Sequence, residues 1–250
     1  MCALVNMVTP KIEREDESRN YGKFIIAPLE RGFGDTLGNA LRRVLLSSLD
    51  GAAISSMRIS DVTHEFSDIP GVREDVIQVI LQVKQVRMIL HEGEIAHMHL
   101  DVRGEGVVTA ADIQAPAEIE IINPELYLFS VDDPKTKLDI DFTVDRGRGY
   151  SPATDRSGKL PIGELPVDAI YSPVKRVNFS VGSARVGQST NYDRLVLEIW
   201  TDGTISPEKA LSSSASIVIE HLRLLSGVTK ESVLIGVEKE ITGSHLTSEA

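Results

Sequence analysis

Residues 29–49, LERGFGDTLGNALRRVLLSSL, join a glycine-punctuated entry to an apolar helix that carries two adjacent arginines, Arg42 and Arg43. Gly32, Gly34 and Gly38 let the backbone turn tightly. Asp35 or Thr36 can cap the helix by accepting from its free amides. Leu37, Leu41, Val44, Leu45 and Ser48 then recur at helical spacing on one face, which Leu46 and Leu49 widen. So many leucines on a helix over residues 36–49 require a partner surface, and the arginines break the apolar surface beside it.

Outward from this helix the pattern is mixed. Residues 21–28 read as a strand leading into the turn, and residues 54–62 as another. Residues 71–84 read as a helix, with Val72, Val76, Ile80 and Val83 on one side. A turn at residues 91–94 precedes a strand in which Ala96, Met98 and Leu100 alternate with Ile95, His97 and His99. Segments 117–122 and 126–131 are joined across Asn123-Pro124, a turn pair. Leu138, Ile140, Phe142 and Val144 alternate with Lys137, Asp139, Asp141 and Thr143, the clearest half-buried strand in the chain. Residues 146–161, rich in Gly, Ser, Pro and charge, read as an exposed loop. Leu195, Leu197 and Ile199 mark a further strand ending at Asp202-Gly203. A last helix opens at Ser206-Pro207-Glu208, where serine caps, proline takes the first helical position and glutamate meets the positive end. Ile217, Val218, His221, Leu222 and Leu225 form its apolar face, Gly227 can end it, and residues 242–250 read as a solvated tail. There is no internal repeat, and the order of elements is that of an α+β fold.

With 37 acidic against 26 basic residues the net charge is −11, so the chain repels a polyanion on average and is a poor wrapper of nucleic acid by itself. No apolar run approaches the length needed to span a bilayer, and the amino-terminal residues lack the pattern of a secretory signal. The single cysteine, Cys2, excludes an internal disulfide and a Cys-based metal cluster, which suits a reducing cytoplasm.

Four constellations bear on chemistry. Gly32, Gly34 and Gly38 give GxGxxxG, which departs from the dinucleotide GxGxxG, and no Gly-Lys-Ser/Thr follows; a nucleotide-binding enzyme using residues 32–38 is the alternative this segment raises against a tight entry to a packed helix. His97 and His99 share a strand face at a spacing that can hold zinc, but without a third ligand legible in sequence they read as a solvated face, and no metal site is expected. Arg146, Arg148 and Tyr150 suit either RNA or phosphate binding or, given the acidic chain, a partner-binding loop. No nucleophile–base pair or two-metal Asp cluster is legible. Arg42 and Arg43 read either as solvated edge charges or as docking contacts, since arginine binds carboxylates bidentately and recurs at interface hot spots.

Residues 29–49 resemble the signature of the bacterial RNA polymerase alpha subunit, amino-terminal domain. VTAADI at 108–113, RGRGYSPA at 146–153, VDAIYSPVKRV at 167–177 and TDGTISPEKAL at 201–211 resemble it too, in the family's order across roughly residues 20–226. The resemblance implies a discontinuous dimerisation domain, residues 1–49 and 172–230, built from a sheet and two long helices. A β-rich insert at residues 50–171 interrupts it, and residues 231–250 form a tail or the start of a linker. Family members usually continue into a small DNA-binding domain whose functions are not carried over here, so DNA contact is not expected from this chain alone. The resemblance also implies a cytoplasmic, nucleoid-associated, noncatalytic subunit without a cofactor of its own, the magnesium of nucleotide addition lying in the partner subunits. The dimer would bury Leu37, Leu41, Val44, Leu45, Ile217, Val218, His221, Leu222 and Leu225. Arg43, Leu46 and His64 would face the beta subunit, and Val167, Val174 and Lys84 the beta-prime subunit, with omega and sigma joining the complete enzyme.

Overall fold

The computed structural model describes residues 9–155, 160–161, 163–186 and 189–226. Gly227 and the tail lie outside the described residues. In chain order the strands and helices are Lys11–Ser18 (β1), Tyr21–Glu30 (β2), Phe33–Ser47 (α1), Asp50–Ile59 (β3), Val76–Val83 (α2), Met88–Leu90 (β4), Ile95–Arg103 (β5), Gly106–Thr109 (β6), Ile119–Ile121 (β7), Tyr127–Val131 (β8), Lys137–Arg148 (β9), Tyr150–Ser151 (β10), Glu164–Pro166 (β11), Ala169–Ile170 (β12), Val174–Val186 (β13), Ser189–Thr201 (β14) and Pro207–Ser226 (α3).

Strand pairing divides these elements. An antiparallel sheet of order β1-β2-β14-β13 joins the first two strands to the last two. A six-stranded sheet, β5-β9-β3-β4-β7 with β11 on β3, and two small ribbons, β6-β8 and β10-β12, use strands from between. The fold is α+β and discontinuous: a polypeptide that leaves the first sheet after β2 returns to it at β13.

Each sheet has its own core. In β9 and β5 the even-numbered residues point inward, so Leu138, Ile140, Phe142 and Val144 meet Ala96, Met98 and Leu100. Val76, Val79 and Val83 of α2 close over this layer. In the other unit Leu41, Leu45 and Leu49 pack on Phe24, Val174, Val177, Leu197, Ile199 and Ala210. Burying such side chains supplies about 1.5–3 kcal/mol each.

Several expectations change. The helix expected over residues 71–84 begins only at Val76, because Asp75 accepts from the Gln78 amide at 2.8 Å and caps it there. Ahead of the cap, Gly71 takes a positive φ of 81° and Val72 bridges Val131. The segments flanking Asn123-Pro124 do not pair with each other: β7 joins β4 and β8 joins β6. Arg146 and Arg148 belong to strand β9, paired with Ala52 and Asp50, before the chain turns at Gly149.

Candidate functional site

Helix α1 lies on β13 and β14 and against α3. Neither Asp35 nor Thr36 caps it. The cap position is Gly32, in the left-handed region at φ 87°, and the capping carboxylate comes from β14. Asp193 Oδ2 accepts from the Gly32 amide at 2.7 Å and from the Gly34 amide at 3.2 Å. Two of the amides at the start of the helix, which would attract a phosphate, are therefore already taken by an anion of the chain itself. That carboxylate lends no support to the nucleotide-binding alternative at residues 32–38. Sequence reading missed Asp193 because it lies far along the chain. Gly34 and Gly38 serve approach: a Cβ on Gly38 would stand 2.5 Å from the Phe179 ring, and one on Gly34 2.6 Å from Val181.

The residues expected at a dimer seam fall into three groups. Leu41 and Leu45 are buried inside the protomer, Leu45 at 0% exposure. Their side chains pack into the protomer's own core, which leaves little of them for a second copy. Leu37, Val44, Ile217 and Val218 are half-buried. On the outer half of α3 the covering ends. His221, Leu222 and Leu225 are exposed, as are Ile219 and Leu224, with Leu224 at 74%. Contiguous apolar side chains of this size on consecutive helical turns are unusual on a lone soluble surface.

Arg42 and Arg43 are both exposed, and neither forms an ion pair among the described residues. Leu46, three residues on, is half-buried against the core under α1. His64 lies on an exposed turn in the six-stranded unit, where Ser67 Oγ approaches its Nδ1 at 2.9 Å. Beside it is a shallow cleft that includes Glu65, Phe66 and Pro166.

Lys84 and Val167 are brought together by a residue that sequence reading overlooked. Asp168 Oδ2 accepts from Lys84 Nζ at 2.9 Å, and Asp168 Oδ1 accepts from the Ala153 amide at 2.8 Å. Lys84 Nζ also stands 5.6 Å from the centre of the Tyr150 ring, within range of a cation–π contact. The Lys84 hydrogen bond first, and the Ala153 amide second, hold the Asp168 carboxyl below its ordinary value. Val167 itself is fully buried and Val174 nearly so. Their side chains pack in the core, so the exposed surface at these positions belongs to their neighbours.

The glycine-rich loop arginines are spent internally. Arg146 donates to the Leu90 carbonyl at 2.6 Å, and Arg148 pairs with Asp50 at 2.5 Å. The Arg148 pair lies at the surface, with 63% of the arginine side chain exposed.

On the outer face of the insert-side sheet, His99 is flanked by both aspartates that sequence reading set aside as the wet side of a strand. Its Nδ1 lies 2.9 Å from Asp141 Oδ1 and its Nε2 lies 3.0 Å from Asp139 Oδ1. The Asp141 hydrogen bond is the main cause of a raised His99 pKa, with the Asp139, Asp141 and Asp101 charges adding to it. His97 is not part of this group; its Nδ1 meets Thr143 Oγ1 at 3.4 Å.

The chain is similar to known proteins over most of its length. Residues 57–172 match the family model described as the RNA polymerase Rpb3/RpoA insert domain. The DNA-directed RNA polymerase subunit alpha of Carboxydothermus hydrogenoformans is 49% identical over 240 residues, covering 95% of this chain and 76% of that protein. Its counterpart in Limosilactobacillus reuteri is 47% identical over 244 residues, 96% and 77% of the two chains. That of Roseiflexus sp. strain RS-1 is 49% identical over 223 residues, 89% and 69%.

Proposed function

The chain belongs to the family of DNA-directed RNA polymerase alpha subunits, and from that premise we propose that it is the homodimeric platform on which beta and beta-prime assemble. An alpha subunit is part of a nucleotidyltransferase that transcribes DNA into RNA without carrying the chemistry itself. Nucleotide addition and its magnesium ions fall to the large partners, omega and sigma complete the enzyme, and the assembly works in the cytoplasm at the nucleoid.

The observation that carries the reading is the bare outer half of α3. Ile219, Leu222, Leu224 and Leu225 leave the protomer uncovered while the inner half of the same helix packs on α1 and its sheet. A second copy presenting the same helix supplies the missing cover in an isologous contact. Obligate interfaces of this kind bury more than about 2,000 Å². The seam then rests on Leu222, Leu225 and His221, flanked by Ile217, Val218, Leu37 and Val44, and not on Leu45.

Arg43, with Leu46 beside it and His64 on the other unit, forms the proposed beta contact. An exposed arginine without an ion-pair partner among the described residues retains its fork for a carboxylate of another chain. The proposed beta-prime contact is Lys84 with Tyr150, over the buried Val167, and the surface above Val174. The dimerisation domain is assigned to residues 1–49 and 172–230 and the insert to residues 50–171. Stepwise reconstitution tests the proposal: purified chain mixed with beta, then beta-prime, should give a stable complex containing two copies of this chain. Failure to capture either large subunit would contradict it.

A further inference from the structure

We propose that His99, Asp139 and Asp141 form a surface site for a borderline divalent transition metal such as Zn²⁺ or Ni²⁺. The antiparallel register sets His99 of β5 opposite Asp141 of β9, and Asp101 opposite Asp139. One ligand atom from each of His99, Asp139 and Asp141 lies within 4.8 Å of the others. The chemistry divides between the two ring nitrogens. A metal bound about 2.0–2.2 Å from two ligands at octahedral or tetrahedral angles holds those ligand atoms roughly 3.0–3.4 Å apart. His99 Nε2 and Asp139 Oδ1, at 3.0 Å, already have that separation. Asp141 meanwhile holds Nδ1, which fixes the tautomer that leaves Nε2 free to ligate and raises its basicity, the carboxylate–histidine–metal arrangement.

A histidine paired with carboxylates selects a borderline ion over Mg²⁺ or Ca²⁺, which favour oxygen-only shells. When the ring is charged, the metal displaces to solvent the proton that Nε2 shares with Asp139, and water fills its remaining positions. Both strands are rigid here: Met98, Leu100, Ile140 and Phe142 are buried on the opposite face, so the ligands start from a fixed frame. The site joins β5 to β9 on a face remote in sequence from Arg43 and α3, and it is independent of the assembly reading.

The test is calorimetric titration of the untagged, chelator-stripped chain with ZnCl₂ and, separately, NiCl₂. Imidazole ¹⁵N spectra recorded with Zn²⁺ report which ring nitrogen binds. One equivalent should bind in the micromolar range, shifting His99 Nε2 while Nδ1 keeps its proton. His99→Ala should abolish binding, Asp139→Asn should weaken it at least about tenfold, and Asp141→Asn should weaken it by roughly 10–100-fold. His91→Ala and His97→Ala should leave it unchanged. Circular dichroism should show each variant folded, as expected for side chains on a solvent face. Equal binding by His99→Ala, a shift confined to Nδ1, or no saturable binding of either ion up to about 1 mM would overturn the site.

Discussion

Gly38 tests whether α1 is positioned by propensity or by contact. Alanine is about 1 kcal/mol better than glycine inside a helix. Against that, a Cβ at Gly38 would stand between 2.5 and 3.0 Å from three atoms of the Phe179 ring, which is itself packed into the core. Overpacking of this kind costs about 1–3 kcal/mol, so contact outweighs propensity. Gly38→Ala should therefore lower the stability measured by urea denaturation; a stabilised variant would show that α1 has room to move away from the sheet. Arg43 is judged differently because its side chain holds no ion-pair partner among the described residues. Arg43→Ala should leave dimer mass unchanged and weaken beta-subunit capture by about 2 kcal/mol. Unaltered capture in a pull-down would remove Arg43 from the proposed contact. Leu45 is the contrasting case: Leu45→Ala should cost about 2–5 kcal/mol of folding stability, since the side chain lies wholly inside the protomer.

Elements were legible where one property alone defined them. The alternation of β9 and β5 follows from a sheet with one wet face, and both strands bury the residues that the period of two selects. The start of α3 was equally plain, with Ser206 Oγ accepting from the Lys209 amide at 3.3 Å. Partnership was not legible. Hydrophobic spacing says that residues 119–121 and 127–131 are extended, but it does not record that their partners are β4 and β6. The candidate site suffered the same blindness. An apolar helical face reads alike whether its own sheet covers it, as at Leu45, or nothing does, as at Leu225. Asp193 and Asp168 were invisible because each acts on a segment distant in sequence. The Asp168 contact has a pH signature. Its folded pKa is depressed, so its contribution to stability is complete above the unfolded value, 3.8, and is lost as pH falls through the lower folded value. Carboxyl NMR should place its midpoint below that of an ordinary aspartate, and Lys84→Met should raise it. An unchanged midpoint in Lys84→Met would show that Lys84 does not hold the carboxylate.

At the scale of the whole molecule, the discontinuous fold places two different surfaces on two differently connected units. α1 and α3 stand on the sheet that pairs β1 and β2 with β13 and β14, whereas Lys84, Tyr150 and His64 belong to the unit between them. In the proposed dimer a two-fold axis through the first unit would duplicate every surface, so that each large partner could use a different patch on a different copy. All of this depends on the second copy covering the outer half of α3. Sedimentation equilibrium at micromolar concentration measures that directly. The account predicts twice the 27.3 kDa chain mass for the wild type and a folded species of one chain mass for Leu222→Glu/Leu225→Glu. A wild-type monomer, or a double variant that dimerises with unchanged affinity, would contradict it.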